Sequence, residues 1–152
     1  MKKKILLVVA SLSQGGTKKI VLDLFNYWKK KGHNIKIITF DNKTQSLNSE
    51  SRKSIIRLGL IKHSKTIFHG IFNNLRRIYK LRALLKENQQ SEIFSFIYTT
   101  NIITIIANLG LTNHLIISER NDPEFQTIST TWSLLRNIFY RLADKVTANS
   151  HK

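Results

Sequence analysis

Ile5-Leu6-Leu7-Val8-Val9-Ala10, then Ser11-Leu12-Ser13-Gln14-Gly15-Gly16, then Ile20, Val21, Leu24, Phe25 and Trp28 at helical spacing: this succession specifies the architecture. The first run is apolar without alternation, so it reads as a strand buried on both faces, as in a parallel sheet. The polar turn after it ends in glycines, and an amphipathic helix follows. Gly32 comes directly after Lys29-Lys30-Lys31, a helix stop. Ile35 to Phe40 is a second run rich in β-branched residues. Strand, glycine turn, helix and strand within the first 40 residues make a βαβ unit.

The pattern continues outward. Residues 41–53 are rich in Asn, Ser and Lys and read as a loop, with a short strand over 54–58. Over 65–88, Ile67, Ile71, Leu75, Ile78, Leu81 and Leu85 are predicted on one helix face, with Arg76, Arg77 and Lys80 on the opposite one. Ile93 to Ile97 reads as a strand. Residues 100–109 are expected as a helix because they lie between two strands, although their Ile content alone equally allows a strand. Leu115 to Ser118 is a strand, 132–141 a helix and 145–148 a last strand. Alternating strands and helices specify an α/β fold: an open, mostly parallel sheet with helices on both faces. The closing Asn149-Ser150 is N-cap chemistry with only two residues after it, so the chain is expected to be a piece of a longer protein.

At 152 residues the chain has the size of one domain. It carries 25 Lys and Arg against 9 Asp and Glu, a net charge of +16, and 41% hydrophobic residues. That apolar content builds a core and excludes wholesale disorder. The charge points to an anionic partner: nucleic acid, an anionic membrane surface or a phosphorylated small molecule. There is no Cys, which excludes disulfides, Cys-ligated zinc and iron–sulfur clusters, and thiol catalysis. No apolar stretch approaches the roughly 18 residues that span a bilayer. Lys2-Lys3-Lys4 before the first apolar run has the flavour of a secretory signal, but the run is short for one and a buried strand accounts for it.

Three segments are candidates for chemistry. The first is the turn Ser13-Gln14-Gly15-Gly16-Thr17. Glycines between a strand and a helix let backbone approach a ligand, and the helix N-terminus offers free N–H groups to a phosphate. The pattern matches neither the dinucleotide nor the P-loop fingerprint, and a ligand-free βα turn is the plain alternative. The second is Ser118-Glu119-Arg120-Asn121-Asp122-Pro123, at the carboxyl end of a strand, where open α/β sheets bind ligands. Glu119 can act on a hydroxyl and Arg120 can clamp a phosphate, or the two form a surface ion pair. The third is the stretch from Ser51 to Lys86, with ten Lys/Arg and no Asp or Glu. It reads as a solvated helix face, as a surface docking on anionic lipid with Phe68 and Phe72 at its flank, or as a nucleic-acid contact. The last is least supported, since no nucleic-acid motif accompanies the charge. The five histidines show no metal-binding spacing, and Gly-x-Ser-x-Gly is absent.

Taken together, several segments resemble one family. Residues 5–16, with Val21-Leu22-Asp23-Leu24, Lys31-Gly32-His33-Asn34 and Ile37-Ile38-Thr39, resemble the opening of family 4 glycosyltransferases of the GT-B fold. Ile93-Phe94-Ser95-Phe96 is similar to the family's fourth-strand region. Ile116-Ile117-Ser118-Glu119-Arg120-Asn121-Asp122-Pro123 closely resembles a subgroup, and 140–150 looks like the strand that follows. The likeness runs in order from residue 3 to residue 150.

The resemblance implies a Rossmann-like, acceptor-side domain over 1–152, the N-terminal half of a GT-B fold, with the C-terminal donor-binding domain absent from the chain. It implies retaining transfer of a sugar from a nucleotide-diphosphate sugar to a saccharide or lipid-linked acceptor in polysaccharide or glycolipid biosynthesis, with no metal and no cofactor. Carried over, Gly15, Gly16, Thr17 and Asn121 approach donor phosphate or substrate, and Glu119 and Arg120 are catalytic candidates. Arg120 stands where many members have His, and Lys18 where many have Glu. Many members are peripheral proteins of the cytoplasmic face, which implies a cytoplasmic or membrane-peripheral location with Arg76, Arg77 and Lys80 as the anion-facing surface. The competing expectation from another class is a non-enzymatic basic module that binds anionic membrane or nucleic acid.

Overall fold

The first strand, β1 (Lys4–Val9), is buried from Ile5 onward, as an unbroken apolar run demands. It lies at the centre of a computed structural model that describes residues 2–13, 16–42, 52–60, 67–119 and 129–148. On one side β1 pairs with β2 (Asn34–Thr39) and on the other with β4 (Glu92–Phe96), Leu7 standing level with Ile37 and with Phe94. The short β3 (Ile55–Arg57) extends the sheet beyond β2. The strands β5 (His114–Glu119) and β6 (Lys145–Ala148) extend it beyond β4. The order is β3-β2-β1-β4-β5-β6 and every pairing is parallel. The expected open parallel sheet is present, with the doubly wound order and its reversal between β1 and β4.

Alternation along the strands divides the core into two layers. Ile5, Leu7, Val9, Ile35, Ile37 and Phe96 face the helix α1 (Gly16–Lys30), which buries Val21 and Phe25 among them. Leu6, Val8, Ile38, Ile93, Leu115 and Ile117 face the other way. That face is covered by α2 (Ile67–Glu87) and α3 (Tyr98–Asn108). The end of α4 (Thr130–Phe139) and the short 3-10 turn Tyr140–Leu142 pack beside them. Each fully buried Leu or Ile of these layers is worth about 1.5–3 kcal/mol. Residues 98–108 are helical although their Ile content also suits a strand. Buried on nearly every side, this helix needs no polar face.

One expectation is corrected. Leu81 and Leu85 are core, but Ile71, Phe72, Leu75 and Tyr79 of α2 are 54%, 66%, 58% and 77% exposed. Arg77, predicted on the far side, faces inward: Nε and Nη2 donate to the Leu60 carbonyl at 3.3 and 3.2 Å, and Nη1 to Asn74 Oδ1 at 3.0 Å. The guanidinium lies 5.8 Å from the Phe40 ring centroid. The reason is helical phase. Positions 77, 81 and 85 follow one another at i, i+4, so Arg77 continues the buried row while Ile71, Leu75 and Tyr79 form the neighbouring, outward row. Burial lowers the Arg77 pKa from its ordinary value. The side chains of Ile67 and Phe68 lie outside the described residues.

Candidate functional site

In a parallel sheet all strand ends of one kind share one rim, and the reversal of strand order leaves a crevice at the carboxyl rim between β1 and β4. Three pieces of chain meet that rim here: the turn after β1, the residues after β2, and the start of α3 with the end of β5. Of the predicted site residues, Gly16, Thr17 and Glu119 are there. Gly15, Arg120 and Asn121 lie outside the described residues.

The turn after β1 enters α1 at Gly16, with no acidic residue in the first helical turn and Lys18 and Lys19 close behind. No acidic side chain of the first helical turn therefore opposes the helix dipole. A Cβ added at Gly16 would meet nothing within 4 Å, so the described structure leaves the approach to this helix end open. The turn is anchored just before it. Leu12 is buried in the α1-side core. Ser11 Oγ donates to Asp41 Oδ2 and accepts from the Ser13 backbone N–H at 3.0 Å. Asp41 is buried directly after β2, and Phe40 N–H donates to the Ala10 carbonyl at 3.1 Å, which joins the ends of β1 and β2.

The second cluster is built on α3, β5 and the 3-10 turn. Asn101, in the first turn of the Ile-rich helix α3, is 0% exposed. Its Nδ2 donates to the Ser118 carbonyl and to Tyr140 Oη, both at 3.2 Å. The Tyr140 hydroxyl donates in turn to Glu119 Oε2 at 2.6 Å. Burial foremost, and then the bond to Glu119, raise the Tyr140 pKa above its ordinary value, so the phenol stays protonated and keeps donating. Two buried acceptors are left without a partner among the described residues: Asn101 Oδ1 and Glu119 Oε1.

Beside them, the N-cap of α3 is Ile97 at φ 72°, a left-handed backbone that a β-branched residue rarely adopts. Its N–H donates to the Ser118 carbonyl at 3.1 Å and its own carbonyl accepts from Asn101 N–H at 2.9 Å. Such a conformation costs on the order of 1–3 kcal/mol and persists where the surroundings over-determine it, typically at functional rims. The Tyr98 and Trp132 rings meet edge to face at 5.9 Å, which ties the start of α3 to α4.

No protein-family model matches the chain. Over 141 residues, 93% of its length, it is 30% identical to the GalNAc-α-(1→4)-GalNAc-α-(1→3)-diNAcBac-PP-undecaprenol α-1,4-N-acetyl-D-galactosaminyltransferase of Campylobacter jejuni. The chain is homologous to a glycosyltransferase. It spans 38% of the length of that relative. The expected resemblance to a glycosyltransferase is thus borne out, and the Rossmann-like sheet with it.

The structure brings Glu119 together with two residues to which sequence reading assigned no role, Asn101 and Tyr140. A polar residue breaking the Ile-rich pattern of α3 was the available signal for Asn101. For Tyr140 there was none, since its hydroxyl reaches Glu119 only through the tertiary fold. Asp41 was also missed, although a carboxylate directly after the second strand of a βαβ unit stands by construction at the carboxyl rim. Arg76 and Lys80 are exposed on α2, whereas Arg77 is engaged by the loop after β3. That loop is shaped by Gly59 at φ 62°, where a Cβ would come within 2.7 Å of Asn42 Oδ1. Among the described residues no group of three or more His, Cys, Asp or Glu is placed to hold a metal, and no helix is long and apolar enough to cross a membrane.

Proposed function

We propose that this chain is the acceptor-side, Rossmann-like domain of a retaining GT-B glycosyltransferase. The full enzyme transfers a sugar from a nucleotide-diphosphate donor to a lipid-linked saccharide and uses no metal. The observation that carries the reading is the N-terminus of α1 at the carboxyl rim, beside the strand-order reversal and open around Gly16 among the described residues, in a chain homologous to an enzyme whose name specifies a polyprenyl-diphosphate-linked saccharide. Backbone N–H groups at Gly16 and Thr17, with Gly15 before them, receive diphosphate oxygens. Glu119 and Arg120, followed by Asn121, flank the reacting end.

The surface of α2 supports a membrane-peripheral location on the cytoplasmic face. Its exposed Ile71, Phe72, Leu75 and Tyr79 lie beside the exposed Arg76 and Lys80. The apolar row enters the headgroup region, and each basic residue near an anionic surface adds about 1 kcal/mol. The helix runs antiparallel to the strands, so its first half lies toward the carboxyl rim, where Arg77 holds Leu60. A lipid-anchored acceptor therefore meets the rim from the surface on which the domain sits. A basic module without enzymatic role explains the charge but not the homology.

The chain should bind a polyprenyl-diphosphate-linked saccharide in phosphatidylglycerol-containing vesicles saturably, and Gly16→Val should weaken this about tenfold, as loss of close phosphate approach is worth on the order of 1.4 kcal/mol. Absence of binding by the folded chain would overturn the reading. Liposome sedimentation should show capture by anionic and not by neutral vesicles, lost on Phe72→Asp with Leu75→Asp. Equal capture by both vesicle types removes electrostatic docking. The isolated chain should not transfer sugar from a nucleotide sugar, and detecting transfer would refute the division of labour between two domains.

A further inference from the structure

We propose that a groove at the amino rim of the sheet is a binding site for a small phosphorylated anion. It lies at the end of the sheet opposite the Gly16 turn, across the amino ends of β1, β4 and β5, and has a volume of about 620 Å³. Lys2, Lys3, Lys4 and His114 line it, together with the turn that follows α2. The five residues of β4 span roughly 16 Å at about 3.3 Å each, so a small anion held here does not reach the N-terminus of α1. The site therefore stands apart from the reading above.

The balance of donors and acceptors around the groove carries it. Helices of a parallel sheet end at the amino rim, where their last carbonyls would repel an anion. Here those carbonyls are spent within the fold. After α2, the Leu84 carbonyl accepts from Asn88 Nδ2 at 2.8 Å, and the Leu85 carbonyl from Asn88 N–H at 3.2 Å and Asn113 Nδ2 at 3.4 Å. The Asn88 carbonyl accepts from Ser91 Oγ at 2.5 Å. After α3, Arg82 Nη1 donates to the carbonyls of Ala107 and Leu109 at 3.0 and 2.7 Å. Ser91 N–H donates to Asn113 Oδ1 at 3.1 Å and His114 N–H to the Ser91 carbonyl at 3.0 Å, so buried bonds hold the two turns that wall the groove. What is left over is donors. Thr112 Oγ1 donates to Gln89 Oε1 at 3.1 Å, which leaves the nitrogen as the unspent end of that amide. Lys3 Nζ pairs with Glu92, the one carboxylate that lines the groove, and Lys2 and Lys4 find no acid there. Three ammonium groups against one carboxylate in a concave wall focus positive potential. Two unpaired lysines beside an amide donor suit a doubly charged group with several acceptor oxygens, which is phosphate chemistry.

The experiment titrates the folded chain with inorganic diphosphate at fixed ionic strength, followed by backbone-amide NMR. Saturable shifts are expected at residues 2–4, 89–92 and 112–114. Lys2→Gln with Lys4→Gln should weaken binding about tenfold. Glu92→Gln removes the one acid and releases Lys3, so it should tighten binding about threefold, a gain that a merely loosened fold would not give. Arg76→Gln with Lys80→Gln removes the same charge from α2 and should leave the affinity unchanged. Equal weakening by the two double variants would reduce the binding to net charge and overturn the site. So would the absence of saturation at the amino rim, or shifts confined to the Gly16 turn. A response to phosphatidate vesicles without any response to free diphosphate would assign the groove to lipid and overturn it as well.

Discussion

Two polar clusters sit on the same rim of this sheet and are built on opposite principles. Between β1 and β2, Ser11 joins Asp41 to the Ser13 backbone, so the cluster is closed and its work is to hold a turn. Between α3 and β5, Asn101, Tyr140 and Glu119 run out of donors before they run out of acceptors. The first cluster spends its hydrogen bonds on holding a turn, and the second leaves two buried acceptors unpaired among the described residues.

The comparison can be broken by substitution. The largest effect is expected at the closed cluster: Asp41→Ala strands the Ser11 hydroxyl and should cost about 1.5–3 kcal/mol in urea unfolding, the range for hydrogen bonds to charged groups. A cost below the error of that measurement would show that the turn does not depend on Asp41. In the second cluster, Tyr140→Phe removes one part-buried bond to a carboxylate and should cost about 1.5 kcal/mol near neutral pH, the low end of that range. Its sharper signature is alkaline. The Tyr140 pKa is raised in the folded state, by burial first and then by Glu119, with Asn101 and Arg136 pulling the other way. Its contribution is thus complete below the unfolded tyrosine value of about 10 and is lost as pH rises beyond it. Wild type should lose more stability than Tyr140→Phe between roughly pH 9 and 11, and parallel curves would contradict the assignment. The smallest effect, of opposite sign, belongs to Glu119→Gln. Its amide supplies a donor where the cluster lacks one, so stability should be unchanged or higher by up to about 1 kcal/mol. A loss like that of Asp41→Ala would mean that both clusters are structural.

The same contrast shows what was legible beforehand. The βαβ opening, the parallel sheet and the β5 rim segment follow from apolar runs and turn residues, which act over a few positions. The face that α2 buries did not follow, because a stripe at 67, 71 and 75 and a row at 77, 81 and 85 differ by a fraction of a turn and only the sheet beneath chooses between them. Arg77 shows the consequence: its charge reads as surface, yet the Leu60 carbonyl takes it inward.

The order of elements, the carboxyl-rim position of Gly16 and Glu119, and the homology to a glycosyltransferase were determined by the amino-acid sequence, since local pattern dictates strands, helices and the turns that punctuate them. Which side chains share hydrogen bonds was decided by the tertiary structure alone. Asn101, Glu119 and Tyr140 are up to 39 positions apart. Only the parallel register of β4 and β5, with α3 and the 3-10 turn packed on one face, brings a phenol, an amide and a carboxylate within hydrogen-bond reach.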